Sequence, residues 1–549
     1  MNEARLKSAK LLKGAAVLAA AAVISKLLGT LQKIPLQNIA GDGAFGIYNA
    51  VYPVYLFILF LATAGFPITI SKFVSERVAL GDFKGVERIV KVSTLLLMGT
   101  GLLFFFALYL GAEQIAGWIG IADTQRAIRS VSFALLFTPV LAVLRGYFQG
   151  QHDMVPTAVS QVIEQLVRVI TMIALLLYFV FMEASMDWVA AGATFGSVTG
   201  AAAGLLVMLT YWLRDRRVRK LAAGKSEKAS GTAPHVSDFQ LVKQIASYAI
   251  PICLGTIVVP ILTLVDTFTM PRLLAAAHLS EAEAMRQFGL YNRGLPLVQL
   301  VVMIASSLSV ALVPALAEAQ IKGDLELIRH RTKLSLKLTW LVGLGASFGL
   351  AFAAVPINLM LYKTSEASWT LAILAFTALF STLNTVSASV LQGVGAVRTP
   401  ALILFVAIVL KALGNVLLMP RWGIEGAALS AVIAFAAAAG LGLVQVARCT
   451  GIALRPSAAG PTLAVGLMGG CLAALQWGAK AAPAWLLPPE RWAYSAIAFS
   501  CVVVGGAVYT AALLRSGTIS REELRLVPGL DRRIVPVLER LKLIPKGTA

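Results

Sequence analysis

The chain has 549 residues, of which 58% are hydrophobic and 13% charged, with a mean hydropathy of +0.80 and a formal net charge of +20. Soluble domains carry about 45–50% apolar residues, so this balance excludes a water-soluble globular protein and points to one that lives in a bilayer. The basic surplus is explained by membrane topology and contact with anionic lipid and requires no nucleic acid.

A helix needs about 20 mostly apolar residues to cross the hydrocarbon core. Fourteen stretches qualify, near 11–31, 45–71, 87–111, 127–149, 155–181, 188–213, 241–268, 288–316, 333–355, 368–392, 399–419, 424–447, 459–480 and 493–514. The expected fold is an all-α polytopic membrane protein with 14 transmembrane helices. Short loops rich in Lys and Arg stay in the cytoplasm. With both termini and every second loop placed inside, 34 of the 47 Lys and Arg residues, Arg145 among them, are assigned to that side, 8 are assigned to the opposite side, and 5 remain: Lys26, Lys33, Arg168, Arg293 and Lys411. Both termini are therefore expected in the cytoplasm, and the protein in a bacterial plasma membrane.

In chain order, the basic start MNEARLKSAKLLK has the look of a signal peptide, but Lys26 interrupts the apolar run and the helical pattern continues to Leu31. Lys26 and Lys33 lie seven residues apart, close to two turns, and project from one face of the first helix. The phrase FGIYNAVYP (Phe45 to Pro53) follows, then SKFVSERVALGD and a basic loop. Next come LRGYFQGQHDMVPTA and SQVIEQLVRV; in the latter Glu164 precedes Arg168 by four residues, the favourable order for a helical ion pair. Gln161 and Gln165 extend that polar stripe, and the pair reads as a structural clamp or gate, with substrate contact as the other reading. A polar, Gly/Ser-containing segment then separates helices six and seven. Beyond it the pattern starts again: FGLYNRGLP (Phe288 to Pro296) lies 243 residues after the first phrase, and PALAEAQIKGD, VLQGVGAVRTPA and Lys411 follow as SKFVSERVALGD, LRGYFQGQHDMVPTA and Arg168 did.

Repetition at this length is a duplicated six-helix bundle. Six crossings return the chain to its starting side, so the copies are parallel repeats, an architecture in which the substrate path lies between halves that rock. The expected divisions are a six-helix lobe at 1–213, a cytoplasmic linker at 214–240, a second lobe at 241–448, two added helices within 449–514 and a basic tail at 515–549. The tail has the pattern of an amphipathic helix on the inner leaflet, although topology alone also yields such charge.

A base at the centre of a spanning helix costs about 2.5–3.5 kcal/mol on the insertion scale. The five such bases, Lys26, Lys33, Arg168, Arg293 and Lys411, must therefore meet water, each other or a substrate. Lys26, Lys33 and Arg293 are read as lining a central cationic chamber, against snorkelling of Lys33 and Arg293 to the interface. Asp266, Lys411 and Asn415 form a candidate ion-coupling site, since intramembrane carboxylates carry protons or bind sodium. The four cysteines show no metal or disulfide spacing, and the four histidines form no metal pair. With no phosphate loop and no carboxylate-bearing outer domain, an enzyme is disfavoured, and neither a catalytic residue, a metal nor a cofactor is assigned.

A basic chamber between rocking halves suits an amphiphile with an anionic head and a lipid tail. SKLLGTLQKIPL, FGIYNAVYP, LRGYFQGQHDMVPTAVSQVIEQLVRV, FGLYNRGLP and GNVLLMPRWGIEGAAL resemble the MurJ-type lipid II flippases of the multidrug/oligosaccharidyl-lipid/polysaccharide exporter superfamily, in the Gram-positive branch related to stage V sporulation protein B. The resemblance implies flipping of undecaprenyl-diphosphate-linked muropeptide from inner to outer leaflet, within the cell-wall synthesis machinery and in contact with membrane lipids. It places Lys26 at the family's first basic motif, Arg293 at its helix-eight base and Lys33, after Gln32, in the role of a further Arg. Its sodium site is echoed in part by Asp266 and Asn415. Coupling to membrane potential, sodium or protons stays open. The rivals are a flippase for another polyprenyl-diphosphate glycan, a drug/cation antiporter, which would need more acids than Glu164 and Asp266, and a non-transporting scaffold, which has no use for five buried bases.

Overall fold

The computed structural model describes residues 3–223, 237–452, 459–481 and 490–519. Residues 224–236 of the expected linker and 520–549 of the expected tail lie outside the described residues. The described elements are helical. In the first repeat α1 (Glu3–Leu31) is followed by α2 (Lys33–Thr63), α3 (Phe66–Ala79), α4 (Phe83–Leu110), α5 (Ala112–Ile119), α6 (Thr124–Ser132), α7 (Thr138–Gly150), α8 (Val155–Phe181) and α9 (Met186–Ala223). The second repeat holds α10 (Asp238–Thr256), α11 (Val258–Ala276), α12 (Glu281–Asn292), α13 (Leu295–Ile321), α14 (Leu325–Phe352), α15 (Ala354–Tyr362), α16 (Ser368–Gly393) and α17 (Thr399–Thr450). The added helices are α18 (Ala459–Ala481) and α19 (Glu490–Arg515).

Among the described residues, 11 helical stretches are long and apolar enough to cross a membrane. Two of them, 16–79 and 399–450, each contain a glycine that leaves the helical region, Gly41 at φ 76° and Gly423 at φ 53°, where one helix gives way to another. The molecule is thus an all-α, multi-pass membrane protein.

The duplication is visible in local chemistry. After α3 the chain turns at Gly81 (φ 70°), and the Asp82 carboxylate accepts from the Gly85 N–H at 2.8 Å to cap α4. After α13 it turns at Gly323 (φ 68°), and Asp324 accepts from the Leu327 N–H at 2.9 Å to cap α14. A carboxylate at this place satisfies one of the free N–H groups of the helix start. The Gln-Gly of each repeat closes the same way: a Cβ on Gly150 would lie 2.7 Å from the Ser71 carbonyl oxygen of α3, and one on Gly393 would lie 2.8 Å from Leu316 Cβ of α13.

Packing divides the chain into two compact units, residues 1–289 and 290–549. The repeat boundary in the linker and the packing boundary therefore differ, because α10 and α11 pack with the first repeat. A Cβ on Gly65, in the break between α2 and α3, would lie 2.2 Å from the Ala249 carbonyl oxygen of α10. The Gly65 N–H, freed by that break, donates to Cys253 Sγ at 3.1 Å. The Lys72 ammonium sits 3.7 Å above the Tyr248 ring, and Arg88 donates to Asp238 at 2.6 Å. On α11, Arg272 donates to the Gly117 carbonyl at 2.7 Å.

The glycine of each repeated phrase makes its closest contact within the first unit. A Cβ on Gly46 would lie 2.2 Å from the Met285 carbonyl oxygen, and one on Gly289 would lie 2.0 Å from that of Asp42. Each glycine thus presses on the residue four before the other, the reciprocal pattern of a local two-fold relation. Backbone contact this close leaves no room for any side chain.

Gly46→Val is therefore expected to lower the thermal midpoint of the detergent-solubilised protein by the equivalent of about 1–3 kcal/mol or more. Gly99→Ala, where nothing lies within 4 Å, should leave the midpoint within the error of the same measurement.

Asp123 gives a pH test. It lies between α5 and α6, outside the membrane-spanning stretches. Burial first, then the carboxylates of Asp187 and Glu281, raise its carboxyl above the ordinary value, against the pull of Arg126. A raised value means that the folded state prefers the protonated form, so the penalty is fully present above it and is relieved as pH falls through it. Asp123→Asn should therefore raise the melting temperature at neutral pH, and the difference should close in a thermal series taken down through the acid range.

Candidate functional site

The polar core of the first unit begins with glycines. Gly196, Gly200 and Gly204 recur every four residues along α9, and a Cβ on them would lie 2.6 Å from the Arg168 carbonyl oxygen, 2.7 Å from that of Glu164 and 3.2 Å from Glu164 Cβ. Small residues at this spacing let two membrane helices approach closely. The Ser160 hydroxyl of α8 consequently reaches the Gly204 carbonyl at 3.0 Å.

This approach fixes α8 and the charges it carries. Arg168 donates to Glu164 Oε1 at 3.2 Å, the pairing expected from their spacing, and to the Tyr52 phenol oxygen at 3.0 Å. The other Glu164 oxygen accepts from Arg145 Nη2 at 2.8 Å, and the same nitrogen lies 3.0 Å from the Ser160 hydroxyl. Arg145, Glu164 and Arg168 are 19%, 15% and 12% exposed, so this is an inward-facing network. Counted by topology alone, Arg145 belongs with the cytoplasmic charges, and the structure corrects that. Arg145 lies inside α7, one turn and a half before its end, and turns inward because Glu164 is there to meet it.

A second chain of contacts links α8 to α1. The Ser25 hydroxyl donates to the Gln161 carbonyl at 3.2 Å, and the Gln165 amide donates to Gln32 at 3.3 Å. Gln32 in turn donates to the Tyr48 oxygen at 3.3 Å, and the Tyr48 and Tyr52 rings stack at 5.4 Å. Gln32, between α1 and α2, keeps helical backbone angles (φ −58°, ψ −23°); its N–H donates to the Leu28 carbonyl at 3.0 Å and its carbonyl accepts from the Leu36 N–H at 3.3 Å, so the helical path runs on from Lys26 to Lys33. Lys26 is exposed and Lys33 half-buried.

In the second unit the equivalent stretch of α17 carries Lys411, buried, with its ammonium 3.5 Å from the Tyr291 oxygen. Tyr291 and Lys411 stand 243 residues after Tyr48 and Arg168, so each repeat brings the tyrosine layer of its phrase to the base of its fifth helix. Gly414 and Ser430 hold the two halves of α17 together: the Ser430 hydroxyl donates to the Lys411 carbonyl at 2.9 Å. Asn415, one turn beyond Lys411, is wholly buried. Arg293 occupies the break between α12 and α13. It is 1% exposed, its guanidinium lies 5.2 Å over the Tyr362 ring and 3.4 Å from the Thr364 hydroxyl, and its carbonyl accepts from the Tyr362 phenol at 2.9 Å. Asp266 is buried in α11, in the first unit.

Residues 11–320 match the family described as polysaccharide biosynthesis protein, and residues 251–417 match the MatE family. An uncharacterised membrane protein of Bacillus subtilis, YabM, is 34% identical over 94% of both chains. The chain belongs to the polysaccharide biosynthesis protein family, within the MOP exporter superfamily. Two further B. subtilis relatives of this family protein are the lipid II flippase MurJ, 28% identical over 96% of this chain and 99% of that one, and stage V sporulation protein B, 26% identical over 95% and 99%. A solved lipid II flippase MurJ in an inward closed conformation shares the fold, with a TM-score of 0.63 over 92% of this chain and 99% of that one at 13% identity.

If the close α8–α9 approach places the network, then Gly200→Val should force α8 outward at a cost of about 1–3 kcal/mol. Gly204→Ala, whose nearest contacts lie at 3.2–3.4 Å, should cost less, and thermal unfolding of the two variants side by side checks the order.

Proposed function

We propose that this protein flips a polyprenyl-diphosphate-linked glycan across the membrane, and that the glycan is the peptidoglycan precursor lipid II. The observation that carries the reading is the imbalance of charge within the bundle: with Arg145 there are six bases, the others being Lys26, Lys33, Arg168, Arg293 and Lys411, against Glu164 and Asp266. Glu164 is already committed to two arginines, so the remaining basic charge suits a diphosphate. In this reading Lys26, Lys33 and Arg293 are each bases that bind the diphosphate during transport, and the lipid tail stays in the bilayer. Full-length similarity to a lipid II flippase supports the substrate.

Outward movement of each negative charge is favoured by about 2.3 kcal/mol per 100 mV when the cytoplasm is negative, and the empty, positive site is drawn back by the same field. Among the coupling candidates Asp266, Lys411 and Asn415, Lys411 places a basic side chain one turn from Asn415. That favours coupling through the membrane potential over coupling through bound sodium. A second reading, a flippase for a different polyprenyl-diphosphate glycan, is favoured by the family match itself, whose description specifies polysaccharide and not peptidoglycan.

Lys26→Ala, Lys33→Ala and Arg293→Ala are each expected to reduce flipping of fluorescent lipid II in proteoliposomes by tenfold or more, roughly the worth of one charge-assisted hydrogen bond or more. Unimpaired flipping in all three would overturn the assignment. Competition by oligosaccharide-linked polyprenyl diphosphate that exceeds that of lipid II would shift the substrate to the second reading.

A further inference from the structure

The Arg145–Glu164–Arg168 network holds two guanidinium charges on one carboxylate, and its other partners, Ser160 and Tyr52, are neutral. A net positive charge is therefore held on side chains that are 12–19% exposed, where an uncompensated ion is costly. The Nε atoms of both Arg145 and Arg168 are buried and have no hydrogen-bond partner among the described residues. Buried donors without partners require an explanation, and an ion is one of the few available.

The duplication supplies an internal control on the bland reading, in which the network is only a brace. At the positions 243 residues on, Arg145 is replaced by Ala388, Glu164 by Ala407 and Arg168 by Lys411. The second repeat still forms the corresponding helices α16 and α17, with Ala407 buried. A six-helix repeat of this design folds without the arginine–glutamate–arginine bridge, so the bridge is an addition to the first unit alone.

Guanidinium is the group suited to the purpose, since its planar fork matches the oxygens of a phosphate as it matches those of a carboxylate. Glu164 presents one oxygen to each arginine, the posture that two oxygens of a bridging phosphate would take. Ser160, Glu164 and Arg168 stand four residues apart on one stripe of α8, so the donors are spread over about 12 Å of helix, with Arg145 between Ser160 and Glu164.

We propose that Arg145 and Arg168 form a second oxyanion site, confined to the first unit, in which a phosphate-type oxyanion of the transported headgroup displaces Glu164. The proposal rests on the flippase reading above. Glu164 keeps the two arginines apart and oriented when the site is empty, and releases them to a competing anion. Arg145 and Arg168 are binding residues in this scheme, and Glu164 is a positioning residue.

Binding of inorganic pyrophosphate to the full-length protein in nanodiscs tests it, in a Lys26→Gln/Lys33→Gln/Arg293→Gln background that removes the other bases assigned to the diphosphate. Residual binding is expected there; Glu164→Gln should tighten it, and Arg145→Gln should weaken it, each by about tenfold, the worth of a charge-assisted hydrogen bond. A brace predicts the opposite for Glu164→Gln, with a lower melting temperature and no gain in affinity, and that result would overturn the proposal. Arg145→Gln leaves Glu164 and Arg168 as a one-to-one pair, so it remains informative if Glu164→Gln fails to fold. Pyrophosphate binding unaffected by Arg145→Gln, or no residual binding in the background, also overturns it. Competition by undecaprenyl diphosphate but not by undecaprenol assigns the site to the lipid headgroup; competition by neither refutes the headgroup assignment. In proteoliposomes, Arg145→Gln should raise the lipid II concentration needed for half-maximal flipping. Normal flipping by the three alanine variants at Lys26, Lys33 and Arg293 would sink the transport reading itself, whereas their failure beside a normal Arg145→Gln would sink this inference alone.

Discussion

A guanidinium drawn into hydrocarbon must find a partner, and in the first unit that partner is Glu164. Its two oxygens hold Arg145 of α7 and Arg168 of its own helix, and Arg168 carries the connection on to Tyr52 of α2. Apolar burial gives no preference for one face of a membrane helix over another when lipid is as apolar as Leu. The charge network does, because turning α7 or α8 would leave an ion unpaired. The glycines of α9 bring α8 close, and the network selects its orientation.

Glycine has a second use at the crossing of the two repeated phrases. Gly46 and Gly289 lie against the Met285 and Asp42 carbonyls in a reciprocal arrangement. This accounts for the recurrence of the phrase at an interval of 243 residues: at a local two-fold relation both copies of the contact must be backbone against backbone, so both copies need the same residue. The aromatic position two residues on is shared for a related reason, since Tyr48 and Tyr291 each belong to the polar layer that meets the base of the fifth helix. Ala50 and Arg293 differ because they lie beyond that shared layer. Ala50 is packed in the first unit, while Arg293 falls in a helix break and rests on Tyr362 and Thr364.

The two repeats thus share a frame and differ in charge. The first carries two arginines and a glutamate where the second has two alanines and a lysine, and the second carries Arg293 where the first has Ala50. The repeats are therefore electrostatically distinct.

The sequence by itself determined the membrane class, the helical fold, the duplication and the ion pair Glu164–Arg168, because hydropathy, a 243-residue offset and an i,i+4 spacing are properties of the chain and do not depend on how helices pack. It also contained a signal for the tyrosine layer, in that Tyr48 and Tyr291 keep the same interval as Arg168 and Lys411. The inward turn of Arg145, the link from Gln32 to Tyr48 and Gln165, and the packing of α10 with the first repeat were decided only in three dimensions. Each depends on a contact between residues distant in sequence: Arg145 with Glu164, Gln32 with Tyr48 and Gln165, Gly65 with Ala249 and Cys253. A charge near a helix end reads as topology until the acid that draws it inward is seen beside it, and hydropathy cannot show which helix fills the space left by a glycine.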